Sequence, residues 1–424
     1  MDVAQITSVA IFLIALAVII SEKVHRAVVA LTGAALVLML GLMPFDEALT
    51  HVDFNTLGVL FGMMLFIGVV KLSGLFEFLA VECAHLAKGD PWRIMLLFVL
   101  LTALLSAFLD NVTTVLLIGP MTLNICKMLK VNPVPFFMTE IMASNIGGTA
   151  TLIGDPPNIM IGSAAGYTFV DFIAVDAPAV AIILVVMLAA FYLMYGRTMT
   201  VAPQDVSEVL TLRPADYVKD RRLMSISIGM VAVVAAGFMF HGALGWESCV
   251  IALGAAALIL LISRAPIDQA LAQVEWTTLV FFAGLFIIVG AMTATGVIDM
   301  LADWLVNVTG GNVFLTMLVL LFGSAIISAF LDNIPFVATM IPILLALGAD
   351  GMDVTPLWWA VSLGACLGGN GTLIGASANV VLSDISRKNG HTITFAQYFK
   401  TGFPLMLMTV CIAAVYLVLR FPPA

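Results

Sequence analysis

The chain has 424 residues, of which 62% are hydrophobic and only 10% are charged, whereas soluble domains carry roughly a quarter charged residues. This composition excludes an ordinary soluble protein and predicts that lipid surrounds most of the chain. The formal net charge of −9 argues against a nucleic-acid partner. The five cysteines lack the spacing of a metal site, so we expect no bound metal.

Apolar segments close to the length of a membrane span alternate with short polar connections. In the first half they lie at 5–21, 26–43, 55–71, 93–129 (a pair pinched at Asp110-Asn111), 136–165 (interrupted by Gly and Pro) and 176–196. In the second half they lie at 224–241, 246–263, 277–294, 311–350 (a pair pinched at Asp332-Asn333), 356–383 (interrupted) and 402–420. The polar stretch 197–222 between the halves is too short for a catalytic domain, which predicts a linker and a protein that is not an enzyme.

The two halves are copies of one unit. The run SAFLDN occurs at 106–111 and again at 328–333, a separation of 328 − 106 = 222. At this offset, or at 221 after a one-residue deletion, many glycines and prolines also coincide, as does the run TLIG. Each half makes an odd number of crossings whether its paired segment re-enters or crosses twice. The second repeat (223–424) is therefore predicted to be inverted relative to the first (1–196).

The basic residues predict the orientation, because Lys and Arg favour the cytoplasmic side. With the N-terminus outside, every lysine and arginine except Arg420 falls on that side. The outer loops then carry Asp46, Glu47, Asp53, Asp171, Asp176, Asp299, Asp303, Asp350 and Asp353. We expect a multi-pass protein of the cell (inner) membrane, with both termini outside and the linker 197–222 in the cytoplasm.

Asp110 and Asp332 occupy corresponding positions at the two pinches, and an asparagine follows each. Ionisable groups at membrane depth are costly and are kept where they face protein or water. Asp155 lies in the first interrupted segment. We interpret these three aspartates as proton-coupling groups. The alternative for the two pinches is that each aspartate only caps the helix that follows it.

The interrupted segments, which we call break one (145–158) and break two (366–379), combine Gly, Pro and small polar residues. Backbone groups freed at this depth must be satisfied by protein, ion, solute or water, although glycines also permit close helix packing. Glu140, ahead of break one, is either a gate or a cytoplasmic-edge charge. The predicted substrate- and ion-binding residues are Asp110, Asn111, Thr113, Asn145, Thr149, Thr151, Asp155, Asn158, Asp332, Asn333, Asn370, Thr372, Ser377 and Asn379.

Three motifs resemble those of a known family. They are SAFLDNVTTVLLIGP (106–120), ASNIGGTATLIGDPPNIMIG (143–162) and SAFLDNIPFVATMIP (328–342). They are similar to signatures of the arsenite-permease/sodium–proton antiporter family (ArsB/NhaD type) of the ion transporter superfamily, and within it to the branch that contains the melanosomal P protein. The resemblance implies an all-α polytopic membrane protein of two inverted-topology repeats, each with five spans, one re-entrant hairpin and a broken helix. It also implies scaffold and transport domains, elevator-type movement and a homodimer.

Resemblance and carboxylates together predict a proton-coupled antiporter that exports a small inorganic solute, with arsenite ranked narrowly above Na+. The coupling ion is H+ or Na+, and no cofactor is expected. A soluble ATPase partner would not be visible in this sequence. The alternatives are an anion or dicarboxylate symporter or conductance, and a membrane scaffold subunit without transport. At the hairpin tips, dicarboxylate carriers have a sequence similar to Ser-Asn-Thr, whereas this chain has Asp110-Asn111-Val112. The added carboxylate disfavours an anionic substrate by like-charge repulsion.

Overall fold

The structure is a computed structural model that describes residues 1–21, 23–197, 199 and 203–423. These residues form helices joined by short turns and contain no β-strand, which confirms the predicted all-α fold. Seven helices are long and apolar enough, by length and composition, to cross a membrane. The chain is therefore a multi-pass membrane protein.

The helices of the first half of the chain follow one another with short connections. They are α1 (Val3–Ile20), α2 (Arg26–Met39), α3 (Phe45–Thr50), α4 (Phe54–Leu72), α5 (Leu75–Leu86), α6 (Pro91–Ser106), α7 (Asn111–Met128), α8 (Val134–Gly148), α9 (Pro156–Ala165) and α10 (Phe169–Phe191). A π-helical turn (Tyr192–Gly196) extends α10. The pair α6 and α7 forms hairpin one, and break one separates α8 from α9.

The linker and the second repeat follow the same plan. Their helices are α11 (Pro203–Leu210), α12 (Arg221–Leu244), α13 (Ser248–Ser263), α14 (Ile267–Leu271), α15 (Trp276–Ala294), α16 (Val297–Thr309), α17 (Val313–Phe330), α18 (Asn333–Ala349), α19 (Thr355–Gly368), α20 (Ser377–Lys388) and α21 (Phe395–Arg420). The pair α17 and α18 forms hairpin two, and break two separates α19 from α20. A short 3₁₀ turn (Pro214–Tyr217) precedes α12.

Short polar side chains start many of the long helices. Asp53 accepts hydrogen bonds from the amides of Asn55 and Thr56, Asp220 accepts one from Leu223, and Asn312 accepts one from Leu315. These bonds satisfy amides of the first helical turn, which have no partner within the helix. The helix interiors are apolar on most faces, as expected where one face packs on protein and the other contacts lipid.

The halves interlock through their second and third spans. α2 of the first half packs on α15 of the second, and α13 of the second packs on α4 of the first. A Cβ on Gly62 would lie 2.6 Å from the Ala252 carbonyl carbon, and one on Gly284 would lie 2.7 Å from that of Ala30. Both pairs are related by the same offset, since 284 − 62 = 222 and 252 − 30 = 222. We call α1–α4 with α12–α15 the scaffold group.

The hairpins and the broken helices pack together in a second group, which we call the hairpin group (α6–α10 with α17–α21). α6 packs on α8 and α17 packs on α19. At these crossings Gly147 and Gly368 face the backbone of Ala103 and Ala325 so closely that a Cβ would collide with it. α10 and α21 pack against each other and against α19. Both hairpin tips and both breaks therefore lie in the hairpin group.

The linker packs against the protein. The amide of Lys219 donates to the Ser73 carbonyl at 3.0 Å, and its ammonium lies 2.7 Å from the Glu77 carboxylate. Val209 of α11 is fully buried. Gly74 has a φ of +83° and lies against Tyr217, where any side chain would be strained. The linker is thus anchored to α5.

Candidate functional site

Each tip aspartate is the N-cap of the second helix of its hairpin. Asp110 Oδ1 accepts from the Thr113 amide at 2.8 Å, and Asp332 Oδ1 accepts from the Ile334 amide at 3.1 Å. The capping interpretation is therefore correct as geometry. Capping uses one oxygen of each carboxylate, and the second remains for other chemistry. Thr113 contributes its backbone amide here.

The second oxygen of Asp332 contacts a residue of the scaffold group. Arg26 Nη1 lies 3.2 Å from Asp332 Oδ2 and donates to Ser377 Oγ at 2.7 Å, and Ser377 Oγ lies 3.1 Å from the same Asp332 oxygen. Arg26 Nη2 donates to Thr278 Oγ1 at 3.3 Å, and the guanidinium stacks on the Phe281 ring at 5.2 Å. Arg26 thus joins the scaffold to hairpin two and to break two.

The sequence analysis does not place Arg26 at the site, because it treats the lysines and arginines only as charges on the cytoplasmic side. It also missed Glu275, whose Oε2 accepts from Thr278 Oγ1 at 2.9 Å. The sequence gives one signal for both residues, namely a charge placed directly at the start of an apolar helix. The pairing of residue 26 with residue 332 depends on tertiary structure.

Asp155 differs from the tip aspartates, because its side chain caps no helix. Its carboxylate instead accepts two hydrogen bonds from Asn333 Nδ2, at 3.3 and 3.2 Å. Asp155 is 1% exposed, so this amide is an important partner for its charge. The tip of hairpin two therefore meets break one.

Asn145 lies where the two breaks meet. Its Oδ1 accepts from Asn111 Nδ2 at 3.3 Å, and its Nδ2 donates at 3.0 Å to both Asn370 Oδ1 and Asn379 Oδ1. Asn370 Nδ2 is buried and has no hydrogen-bond partner among the described residues. Four predicted site residues are thus brought together in one amide network that crosses the repeat boundary.

In each break, an asparagine side chain donates hydrogen bonds to carbonyl oxygens of the same break. Asn158 Nδ2 donates to the carbonyl oxygens of Thr149 at 3.1 Å and Thr151 at 3.0 Å. Asn379 makes the corresponding bond to Thr372 at 2.8 Å. These bonds satisfy carbonyls that the interrupted helices leave free. Asn158 and Asn379 therefore hold the shape of the breaks.

Threonine hydroxyls fix the hairpin tips to the breaks. Thr151 Oγ1 donates to the Ala107 carbonyl, and Thr372 Oγ1 donates to the Ala329 carbonyl. Thr149 Oγ1 donates to the Asn145 carbonyl at 2.7 Å. Because these hydroxyls already bond to backbone, they position the site. None of the three threonines lines the two cavities described next, as far as the described residues define them.

Two adjoining cavities lie between the scaffold group and the hairpin group. The inner pocket, of about 20 Å³, is lined by Arg26, Asp110, Asn111, Asp155, Glu275, Thr278, Asn333 and Ser377, with a few apolar residues. The vestibule, of about 400 Å³, is lined by His25, Arg26, Glu275, Thr277, Thr278, Asp332 and Ser377 among apolar residues. The vestibule lies beside the turn between α1 and α2, the end of the molecule that the basic residues predict to be cytoplasmic.

The lining of these cavities sets their electrostatics. The described residues around the inner pocket carry three carboxylates and one guanidinium. Asp110 lines this pocket and Asp332 lines the vestibule, and both cavities share Arg26 and Glu275. The structure thus brings the two tip aspartates to neighbouring cavities that hold more acidic than basic side chains.

One prediction about an acidic residue is wrong, and one of the two alternatives for Glu140 is excluded. Asp176 is not in an outer loop but fully buried inside α10, 2.6 Å from Ser362 Oγ. The helix begins earlier than predicted, because Thr168 and Asp171 form a capping box that starts it at Phe169. Glu140 is not an edge charge, since it is 1% exposed inside α8 and accepts from the Thr122 hydroxyl.

Membrane-length helices, two interrupted helices and a pocket lined by charged side chains define a multi-pass membrane transporter. The family model described as citrate transporter (CitMHS) matches residues 16–364. The chain belongs to this family of the ion transporter superfamily, which confirms the predicted superfamily.

The relatives agree with this assignment. The chain is 42% identical over 425 aligned positions to an uncharacterized transporter of Mycobacterium bovis, covering 98% of this chain and 99% of that one. It is 33% identical over 506 positions to the P protein of Mus musculus, covering 98% of this chain and 60% of the P protein. The crystal structure of the Alcanivorax borkumensis YdaH transporter has a similar fold, with a TM-score of 0.62, 15% identity and 99% of both chains covered.

Proposed function

We propose that this transporter is a proton-coupled antiporter that exports a small inorganic cation, with Na+ as the first candidate. One observation carries the proposal: Asp110, Asp155 and Glu275 line the inner pocket against the single guanidinium of Arg26. Hard cations take oxygen ligands, and a pocket with an excess of carboxylates attracts cations and repels anions.

The tip aspartates suit an exchange of proton for cation. Each keeps one oxygen on a helix amide, so the carboxylate stays in place while its other oxygen binds a proton or the solute. Asp155 adds a third carboxylate, held by Asn333. Protons and cation then compete for the same oxygens, which is the simplest basis for antiport.

The proposed movement is elevator-like. The hairpin group would carry the site past the scaffold group, and the Arg26–Asp332 contact would break in each cycle. We also propose a location in the inner membrane, both termini outside, the linker 197–222 in the cytoplasm, and assembly as a homodimer.

Arsenite, ranked above Na+ from the sequence, is now ranked below Na+ as the solute of this antiporter. As(OH)3 is neutral near pH 7, so an excess of carboxylates offers it no charge attraction. The one thiol near the breaks, Cys366, is buried and contacts Asn158 at 3.5 Å. Among the described residues it lines neither cavity.

A carboxylate such as citrate is the second candidate function, in a symport mechanism. The family description names citrate, and the vestibule offers a guanidinium beside the hydroxyls of Thr277, Thr278 and Ser377. Its volume of about 400 Å³ would hold a small carboxylic acid. This function requires that the site carboxylates be protonated when the anion binds.

Acid-quench fluorescence in proteoliposomes tests these functions. The purified protein is reconstituted with an acidic interior, and Na+, arsenite and citrate are added outside in turn. Na+ is expected to drive protons out and restore the fluorescence, with protein-free liposomes as the baseline. Proton movement with citrate but not Na+ would establish the carboxylate function. No response to any of the three would favour the scaffold-subunit alternative.

A further inference from the structure

Asp176 is a buried acid away from both cavities. Its Oδ2 lies 2.6 Å from Ser362 Oγ on α19. Its Oδ1 is buried without a hydrogen-bond partner, and the side chain forms no ion pair, within the described part of the chain. A carboxylate charge in this setting would be largely uncompensated.

Ser362 links Asp176 to Asn158, a residue of break one. Ser362 Oγ also lies 2.8 Å from Asn158 Oδ1. The orientation of the Asn158 amide is fixed, because its Nδ2 donates to the carbonyls of Thr149 and Thr151. Its Oδ1 can therefore only accept a hydrogen bond.

The hydrogen bonds of Ser362 indicate whether Asp176 is protonated. The Ser362 hydroxyl carries one proton but lies at hydrogen-bond distance from two acceptors, Asp176 Oδ2 and Asn158 Oδ1. Both contacts are hydrogen bonds only when Asp176 is protonated, donates to Ser362 and thereby directs the hydroxyl proton to Asn158. An ionised Asp176 would draw the hydroxyl proton and leave two oxygens facing each other at 2.8 Å.

Within the part of the chain that the structure describes, no basic side chain forms an ion pair with Asp176. On α19, the Cys366 thiol contacts Asn158 at 3.5 Å and also interacts with Asp155. Of the groups on the other elements packed against α10, Tyr416 of α21 interacts with Asp176. The remaining titratable residues of these elements are Tyr398, Lys400, Cys411 and Arg420 on α21, Arg221, Arg222 and His241 on α12, Glu140 on α8, Tyr192 and Tyr195 on the π-helical turn and, on α10 itself, Asp171. Tyr416 donates to the Val175 carbonyl at 2.7 Å and also interacts with Arg420. His241 Nε2 accepts from the Phe169 amide at 3.1 Å, and its Nδ1 lies 3.0 Å from the Trp246 carbonyl oxygen.

We propose that Asp176 is a further proton-binding site, distinct from the carboxylates of the inner pocket, whose occupancy is coupled to break one through Ser362 and Asn158. When Asp176 releases its proton to water, the Ser362 hydroxyl turns toward the new carboxylate. Asn158 then loses its strongest Oδ1 partner, and its hold on the Thr149 and Thr151 carbonyls weakens. The coupling to transport rests on the proposed function, whereas the proton on Asp176 does not.

Infrared spectroscopy with isotope-labelled aspartate tests for the proton directly. The full-length purified protein at neutral pH is expected to absorb as protonated aspartic acid, and the difference between its spectrum and that of Asp176→Asn is expected to contain the carbonyl band of Asp176. The introduced amide can still donate to Ser362, so this variant is expected to fold. Ser362→Ala should keep the band but shift it to higher frequency, because the acid loses its acceptor. Asp171→Asn, on the same helix, is the matched control and should leave the band unchanged.

An unchanged aspartic-acid band in Asp176→Asn would overturn the proposal. The coupling is tested separately, by the number of protons moved per Na+ in proteoliposomes, which should fall by one in Asp176→Asn. A lost band with an unchanged ratio would overturn the coupling. Absence of flux in the parent protein would count against the proposed function alone, because the infrared result does not depend on transport.

Discussion

Replacing Arg26 with glutamine removes the one guanidinium of the inner pocket, and the sign of its effect separates cation from anion transport. In the structure the guanidinium lies 3.2 Å from Asp332 and occupies the place where a cation would bind that carboxylate. A transported cation must therefore displace Arg26, whereas a transported anion would use it. The glutamine amide can still donate to Ser377 or Thr278, so the local hydrogen bonding is partly kept.

The size of the effect follows from the exposure of the pair. Two unit charges about 4 Å apart interact by about 4 kcal/mol at the effective dielectric of a protein surface, while fully exposed pairs contribute about 0–1 kcal/mol. The Arg26 and Asp332 side chains are 25% and 16% exposed, which lies between these limits. We therefore expect a change of about 2 kcal/mol, which corresponds to about 30-fold in affinity.

The assay is calorimetric titration of the purified protein with NaCl and, separately, with citrate. Arg26→Gln should tighten Na+ binding about 30-fold if the antiport proposal is correct. Lys23→Gln is the matched control, because Lys23 carries the same charge three residues earlier on an exposed side chain. Weaker Na+ binding, together with loss of citrate binding in Arg26→Gln but not in Lys23→Gln, would refute this reasoning and assign Arg26 to anion recognition.

Three further predictions test the architecture. Gly284→Ala should lower the free energy of unfolding by about 1–3 kcal/mol, because its Cβ would lie 2.7 Å from the Ala30 carbonyl carbon. The measurement is the unfolding temperature in detergent. Gly254→Ala is the control, because its Cβ would meet no atom within 4 Å, and equal losses in the two variants would contradict the interlocked packing. Asn379→Asp should reduce flux at least about tenfold, because a carboxylate would face the carbonyls that close break two; full flux would show that this closure is dispensable. In a cysteine-free background, an impermeant thiol reagent added to intact cells should label Glu47→Cys but not Asp216→Cys, and the reverse pattern would invert the orientation.

The interruptions of the long apolar segments could be predicted from the sequence. The paired segment predicted at 311–350 corresponds to α17 and α18, which run from Val313 to Ala349. Polar pairs and Gly-Pro clusters within apolar segments indicate interrupted membrane helices, because few other structures satisfy the backbone at membrane depth. The placement of Asp110, Asp155 and the asparagines near one another was predicted for the same reason.

The hydrogen-bond partners of the polar side chains could not be predicted from the sequence. Nothing in the sequence distinguishes Asn158, which bonds to the carbonyls of its own break, from Asn145, which joins the two breaks. The Arg26–Asp332 contact and the burial of Asp176 depend on how two distant segments pack. Residue type and spacing locate a polar site in such a chain, but tertiary packing decides which groups line it.

The central claim is that the two tip aspartates carry the exchange of protons for solute. Both can be changed to asparagine with little damage to the fold, because asparagine caps helices as well as aspartate does. Asp90→Asn, at the exposed cap of α6, is the matched control. In proteoliposomes, the Asp110→Asn/Asp332→Asn double variant should lose Na+-driven proton flux to the level of protein-free liposomes, while Asp90→Asn keeps it. Undiminished flux in the double variant would contradict the claim.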